Sequence, residues 1–386
     1  MTGLAVDAGA WYMKKRDLQT AADAAAMTAG LQFAGGYSSA YMTSEATFDA
    51  ERNGYNDTGT GTIQVNNPPT AGVYAGDENA IEVILTEQAP LYFGSMIINA
   101  APTIQAVAVV KVFIQANMCM VALNETASQA LDIFGSADLQ MDCGMASNSN
   151  AADAIHLQGS VDVQAKSLWT VGGIETQGSV DVQVESQYSS ASKIADPYAD
   201  LAVPPYAGCD DTNYSQNNGS ATIAPGVYCG GINVQGNSTL TMTSGTYIID
   251  GGDFSVQGNA DVSGTNVTII LTSSSGADYG IADLTGNGDV VLTPPESGDY
   301  SGILFYGDRN GGANTSTFTG SSDSTIAGVL YFPTQELVFT GSADVGDGCL
   351  KMLADTIQVS GSVDLQNMCV NDYSEEISST RVRVVE

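Results

Sequence analysis

Over the last two-thirds of the chain, apolar and polar residues alternate in short bursts punctuated by glycine, and one phrase recurs. In Ala154-Ile-His-Leu-Gln-Gly-Ser-Val-Asp-Val-Gln164, residues Ile155, Leu157, Gly159, Val161 and Val163 fall on one face of an extended strand. His156, Gln158, Ser160, Asp162 and Gln164 fall on the other. Copies with their glycine at 135, 159, 178, 219, 236, 258, 286, 320, 341 and 361 follow, most of them about 20 residues apart. The same split recurs at Leu131, Ile133, Ala137 and Leu139, at Phe254, Val256, Ala260 and Val262, and at Ile357, Val359, Val363 and Leu365. One such strand cannot bury its apolar face alone, but strands stacked in parallel about 4.8 Å apart share one interior. The pattern therefore predicts an all-β parallel β-helix. Ala224-Pro-Gly-Val-Tyr228 and Ser244-Gly-Thr-Tyr-Ile248 supply further corners, each a glycine turn ahead of an aromatic strand.

The first third reads differently. Residues 3–34 are rich in alanine, leucine and methionine without proline, which predicts a long helix ended by Gly35-Gly36. Strands are expected at Thr62-Ile-Gln-Val65, Ala80-Ile-Glu-Val-Ile-Leu-Thr86 and 103–113, a short helix at Pro90–Ile98, and a loop at Asn53–Gly61. At 386 residues the chain exceeds one ordinary core. The expected organisation is an α+β domain led by its long helix, residues 1–117, followed by the β-helix, residues 118–386.

Between 186 and 218 the rhythm breaks. Residues 195–206 hold three of the 11 prolines and cannot form an interior strand, so this excursion is expected to lie against the coil, anchored by Tyr198, Leu201 and Tyr206. It is a candidate contact surface. The tail Thr380-Arg-Val-Arg-Val-Val385 alternates like a strand and is expected to pair at a coil end or with a neighbouring molecule.

Charge narrows the function classes. Eleven basic residues against 43 acidic ones give a net charge of −32, which argues against nucleic acid and anionic lipid as partners. Such a surface serves solubility in a salty medium, or it binds cations. Asp138, Asp162, Asp181, Asp261, Asp344 and Asp364, together with Asp289 and Asp323, hold equivalent places in the repeat and are expected to stack on the outer face. Carboxylates about 5 Å apart in water repel by roughly 1 kcal/mol. Solvent, salt and neighbouring hydroxyls relieve that repulsion, and so would calcium, which takes several oxygen ligands. No EF-hand loop or Gly-Gly-x-Gly-x-Asp nonapeptide is present, so calcium rests on stacking alone, and no other cofactor is implied.

Six cysteines fall as Cys119/Cys143, Cys209/Cys229 and Cys349/Cys369, each pair separated by about one coil. Neighbouring rungs offer the α-carbon spacing a disulfide accepts, so three local bridges are expected, each worth roughly 3 kcal/mol. No CxxC pair exists and His156 is the one histidine, which leaves zinc without a ligand set. Disulfides imply an oxidising, exported setting.

Enzymatic readings find little support. Asp210-Asp211 could serve as a carboxylate pair for glycoside cleavage. Residues 118–386, however, carry only Lys166, Lys193, Arg309, Lys351, Arg381 and Arg383 as bases, with no cluster to hold an acidic sugar. His156 occupies one outward repeat position among many.

Leu4-Ala-Val-Asp-Ala-Gly-Ala-Trp-Tyr-Met-Lys-Lys-Arg-Asp-Leu-Gln-Thr-Ala-Ala-Asp-Ala-Ala-Ala26 resembles the N-terminal segment of TadG-like proteins of Tad (Flp) pilus assembly systems. The order of helix, strands, short helix and strand through residue 115 resembles that pseudopilin-like family, and the repeats resemble the β-helical extensions of its exported members. The resemblance implies a bacterial protein exported to the cell surface, with the motif just outside a membrane anchor. Most of that anchor is missing from this chain, whose apolar opening runs about ten residues where a span needs about 20. The function expected is non-enzymatic and structural: a pilus-associated or filament-forming subunit whose partners are its own copies and pilus assembly components. Leu4, Val6, Trp11, Tyr12 and Leu18 are the expected assembly residues. A β-helical adhesin for a glycan or surface is the alternative, and a carbohydrate-active enzyme a more distant one.

Overall fold

A computed structural model describes residues 2–56, 61–94, 100–320, 324–344, 349–367 and 372–386. The chain forms two compact units, residues 1–115 with 380–386, and residues 116–379.

The first unit holds helices α1 (Thr2–Ala34) and α2 (Ser39–Arg52) and strands β1 (Thr62–Asn66), β2 (Ala80–Gln88) and the first part of β3 (Thr103–Ala122). Helix α1 stops where Gly36 turns left-handed at φ 73°, a conformation open to glycine without steric cost. Its buried face is small, with Ala21, Ala22, Ala25, Ala26 and Ala29 set against Ala46 and Ala50 of α2. The strands pair antiparallel, Thr62 opposite Thr86 and Val83 opposite Ala108, and bury Ile81, Val83, Leu85, Ala106, Ala108 and Val110 in the same core.

Helix α2 was not anticipated. Its buried stripe is only Met42, Ala46 and Ala50, too small to register as a hydrophobic periodicity, although Ser38 caps it by accepting from the Tyr41 N–H at 3.3 Å. Of the short helix expected at Pro90–Ile98, residues 90–93 form an irregular bend, and residues 95–99 lie outside the described residues. Part of the expected loop, 57–60, also lies outside them. The tail belongs to this unit rather than to a coil end. Val385 N–H donates to Val109 O at 2.8 Å and Val109 N–H to Glu386 O at 2.7 Å, so the tail satisfies backbone groups of β3.

The second unit is a parallel β-helix of about 11 turns. Its interior is one continuous core in which Phe254, Phe305, Phe318, Phe332 and Phe339 interleave with Val, Leu and Ile columns. The order of its rungs is not the order of the sequence. From residue 118 the chain coils outward through strands Leu131–Met141, Ile155–Thr170 and Ile174–Tyr188, and the last of these is an end rung. Residues 189–210 then return along the outside to the opposite end. There, strand Asp211–Ile223 starts a second series that coils back through Gly226–Met242, Gly328–Asp344 and Leu350–Asn367. The final rung docks on the first: Ile357 pairs with Leu131, Val359 with Ile133 and Leu365 with Leu139. The excursion is accordingly narrower than 186–218, because Ser186–Tyr188 and residues 211–218 are paired strand. Among the described residues no helix is long and apolar enough to cross a membrane.

Candidate functional site and assembly surface

Two outward faces of the β-helix are built differently. On one, strand positions that would ordinarily be solvated are apolar: Val227, Ile248, Ile270, Tyr306, Tyr331, Leu353, Val121, Ala146 and Trp169 follow one another in register across the rungs. All are buried, because residues 189–210 lie over them as a strap that contributes Ile194, Tyr198, Leu201, Val203 and Tyr206. At about 4.8 Å per rung the covered stripe is roughly 38 Å long.

The strap is fastened at three levels. Asn148 holds Ile194 through both its amide groups, at 2.9 and 2.7 Å, and Trp169 Nε1 donates to Ser192 O at 2.7 Å. At the middle, Asp196 pairs with Arg309 and accepts from Tyr331 Oη at 3.0 Å, while Tyr306 Oη donates to Leu201 O. Burial foremost, and then the Asp196 charge, pushes the Tyr331 phenol well above its ordinary value, so it stays a neutral donor. Burial likewise pushes Tyr198 up to about 12. At the far end Cys209 is bridged to Cys229, with α-carbons 5.7 Å apart.

A neighbouring stripe is closed by residues 372–377. Lys351, almost wholly buried, places Nζ 2.7 Å from Asp372 Oδ2 and 3.0 Å from Glu375 O. Burial raises the Asp372 carboxyl, but hydrogen bonds from Lys351 and Ser374 outweigh it and hold the group below its usual value.

The aspartate face is open. Asp364, Asp138, Asp162 and Asp181 stand in direct register on consecutive rungs. Asp344 is not in that column, since a register shift between Thr340 and Ser342 sets Ser342 opposite Asp364 and Asp344 opposite Gln366. Asp261 lies opposite Thr239, and its carboxylate accepts the N–H of Asp289 at 3.0 Å. Asp323 lies outside the described residues. A strand-to-strand column presents its carboxylates side by side rather than converging, and among the described residues no group of three or more acids, histidines or cysteines could hold a metal.

Cys119 and Cys143 form a disulfide with α-carbons 5.8 Å apart. Cys349 is also disulfide-bonded, and its expected partner Cys369 lies outside the described residues. His156 is buried, with Nδ1 2.7 Å from Asp132 Oδ1. Asp210 is occupied in capping: its Oδ2 accepts the Val227 N–H at 2.8 Å, while Asp211 Oδ1 accepts from Thr212 N–H at 2.6 Å. The two carboxylates thus serve backbone groups rather than facing each other.

In the first unit, Leu18 is only 2% exposed and belongs to the core, which removes it from the expected assembly surface. Trp11 is half-buried and donates from Nε1 to Pro90 O at 2.7 Å. Val6 and Tyr12 are exposed, the latter by 74%, as are Met13, Tyr92 and Phe93. Nothing is described of the Leu4 side chain. Beside these residues, Asp7 of α1 is buried and accepts the N–H groups of Tyr92, Phe93 and Gly94, which fixes the bend after Pro90 to the helix.

Residues 1–32 match the family described as putative Flp pilus-assembly TadE/G-like. No curated protein and no solved structure matches the chain. The matched segment is the part of α1 that carries Val6, Trp11, Tyr12 and the basic residues Lys14, Lys15 and Arg16, and the chain continues into the β-helix. The chain thus resembles TadE/G-like proteins over residues 1–32 of its first helix, and that segment is followed by a β-helix.

Proposed function

We propose that the chain is a non-enzymatic structural subunit of a bacterial surface assembly, which self-associates or joins pilus assembly components through its helix-led unit and presents the β-helix. The observation that carries this reading is where the exposed apolar side chains lie. Val6, Tyr12, Met13, Leu31, Tyr37, Tyr41, Phe48, Val73, Tyr92 and Phe93 all belong to the first unit, whereas the described residues of the β-helix expose few large apolar groups. Exposed apolar clusters mark interaction surfaces. The β-helix meets solvent with acids, amides and hydroxyls, a surface suited to remaining soluble at high local density. The test is a Tyr12→Glu variant of the full chain, assessed by sedimentation and electron microscopy. Weaker assembly with unchanged circular dichroism supports the reading, and unchanged assembly counts against the helix as the joint.

A second reading has its own observation. A groove of about 650 Å³ lies between strap residue Pro204 and the loop at 295–300, and is lined among others by Ser244, Thr246, Asn266, Glu296 and Tyr300. Hydroxyl, amide and carboxylate groups beside an aromatic ring suit a neutral or cationic glycan. Glycan-array binding that Asn266→Ala removes would favour an adhesin. Calcium on the aspartate face is a further proposal, carried by the in-register column and tested below.

A further inference from the structure

The ends of the β-helix are the rungs Ile174–Tyr188 and Asp211–Ile223, each paired on one side only among the described residues. Neither carries proline or lysine, two usual devices against strand addition, although the Asp211–Ile223 rung meets its neighbour across two register shifts, between Thr212 and Tyr214 and between Gln216 and Asn218. The first even repeats the interior phrase unchanged: Gly178-Ser-Val-Asp-Val-Gln183 matches Gly159-Ser-Val-Asp-Val-Gln164, which is paired on both sides.

Following each column from one end to the other shows which residues of the two ends an added rung would bring together. One column runs Gln216, Val234, Val256, Leu284, Phe318, Phe339, Val359, Ile133, Leu157, Thr176. It is apolar at every interior rung and polar at both termini. The column beside it begins at Tyr214 and ends at Ile174, and another begins at Ala221 and ends at Val182. The acidic column ends at Asp181 and begins, beyond Thr239 and Asp261, at Ser220. Setting one end on the other by a single rung step, with one extra residue of the Ile174–Tyr188 rung bulged between Thr176 and Asp181, places Ile174 on Tyr214, Thr176 on Gln216, Val182 on Ala221, and the Asp181 carboxylate beside the Ser220 hydroxyl. A hydroxyl can donate to that carboxylate, where another aspartate would repel it.

The backbone agrees. Ile357, Leu131 and Ile155 each donate their N–H to the following rung, at 2.8, 3.1 and 3.1 Å. Ile174 is their in-register successor, so its N–H is aimed off the end, where the carbonyl preceding Tyr214 of another copy would lie. Both series of rungs run parallel in one direction, so this union is head-to-tail, and a head-to-tail contact that does not close makes a filament.

We infer that a second copy of this chain docks its Asp211–Ile223 rung on the Ile174–Tyr188 rung, continuing the β-helix from molecule to molecule. The inference rests on the reading of the chain as an assembly subunit but concerns a different joint from the helix-led unit. It is tested on the full chain in both the native and the Tyr12→Glu background, by sedimentation and negative-stain microscopy at about 0.15 M salt, where like charges are screened beyond about 8 Å.

The expected result is end-joined chains of particles that survive Tyr12→Glu. Ser220→Asp, which faces a carboxylate with a carboxylate, reduces them to single particles. Adding Asp181→Lys to Ser220→Asp restores them. Thr176→Pro, which removes an N–H that only the added rung would use, also abolishes them. Single particles of the native chain at every concentration overturn the inference, as do end-joined chains indifferent to Ser220→Asp. If Tyr12→Glu alone dissolves the assemblies while the end variants do nothing, the end joint is wrong and the helix-led reading stands. If neither the helix variant nor the end variants alter them, both fail.

Discussion

Ile357, in the last coil of the chain, pairs in register with Leu131 in the first, and its N–H donates to Ala130 O at 2.8 Å. The β-helix is therefore closed in its interior by two segments more than 200 residues apart in sequence, and its ends come from the middle of the chain. The strap is what this order requires, since it carries the chain from one end to the other.

The joint between these coils is tightest at a glycine pair. Gly135 has φ 100°, and a β-carbon there would come within 2.6 Å of Gly361 O. Gly135→Ala should cost about 2–3 kcal/mol, from left-handed strain together with the backbone clash. Gly76→Ala, also left-handed at φ 79° but with nothing near its β-carbon, should cost about 1 kcal/mol. Chemical denaturation of both variants checks the difference, and equal losses would mean the coils do not meet there.

Removing the middle fastening of the strap should loosen it without unfolding the coil. Asp196→Ala leaves Arg309 without its carboxylate and Tyr331 with one partner fewer, at a cost of roughly 1–2 kcal/mol given the partial exposure of Arg309. Limited proteolysis should then cut first within residues 189–210, the two fragments staying associated through the pairing of Ile357 with Leu131 and Val359 with Ile133. Resistance equal to the native chain would show that Asp196 bears no load.

The Lys351–Asp372 pair sets an acid limit. The folded carboxyl titrates below the ordinary value of 3.8, so its contribution is fully present above about pH 4 and is lost as pH falls through the depressed folded value. Asp372→Asn should therefore narrow the stability gap to the native chain as acid is added below pH 4. A gap that stays constant down to pH 2 would contradict the assignment.

Asp162 stands between Asp138 and Asp181, about 4.8 Å from each rung. Asp162→Asn should stabilise the fold by about 1 kcal/mol at low ionic strength, with the gain fading in salt. Calcium bridging predicts the opposite sign once the ion is added, because the variant loses a ligand. Thermal melts with calcium and with a chelator decide between them.

The alternation of Ile155, Leu157, Val161 and Val163 was enough to read out the β-helix and which residues line its interior. The order of its rungs was not legible, because every rung carries the same phrase and no local signal says which copy is its neighbour. The covered stripe left a trace that alternation alone passes over: Cys119-Met-Val-Ala122, Ile303-Leu-Phe-Tyr306 and Val329-Leu-Tyr-Phe332 are apolar at consecutive positions, as strands buried on both faces must be. Asp344 was misplaced because a register shift cannot be seen in a repeat of nearly constant length. In the first unit, the helical core face is alanine, which hides α2 from any hydrophobic periodicity.

An assembly subunit must form a regular array from its own copies, and electron microscopy of the full native chain across a range of concentration and salt tests this. Multimers with a constant repeat that grow with concentration are expected. Monodisperse single particles throughout would show that the chain does not assemble by itself.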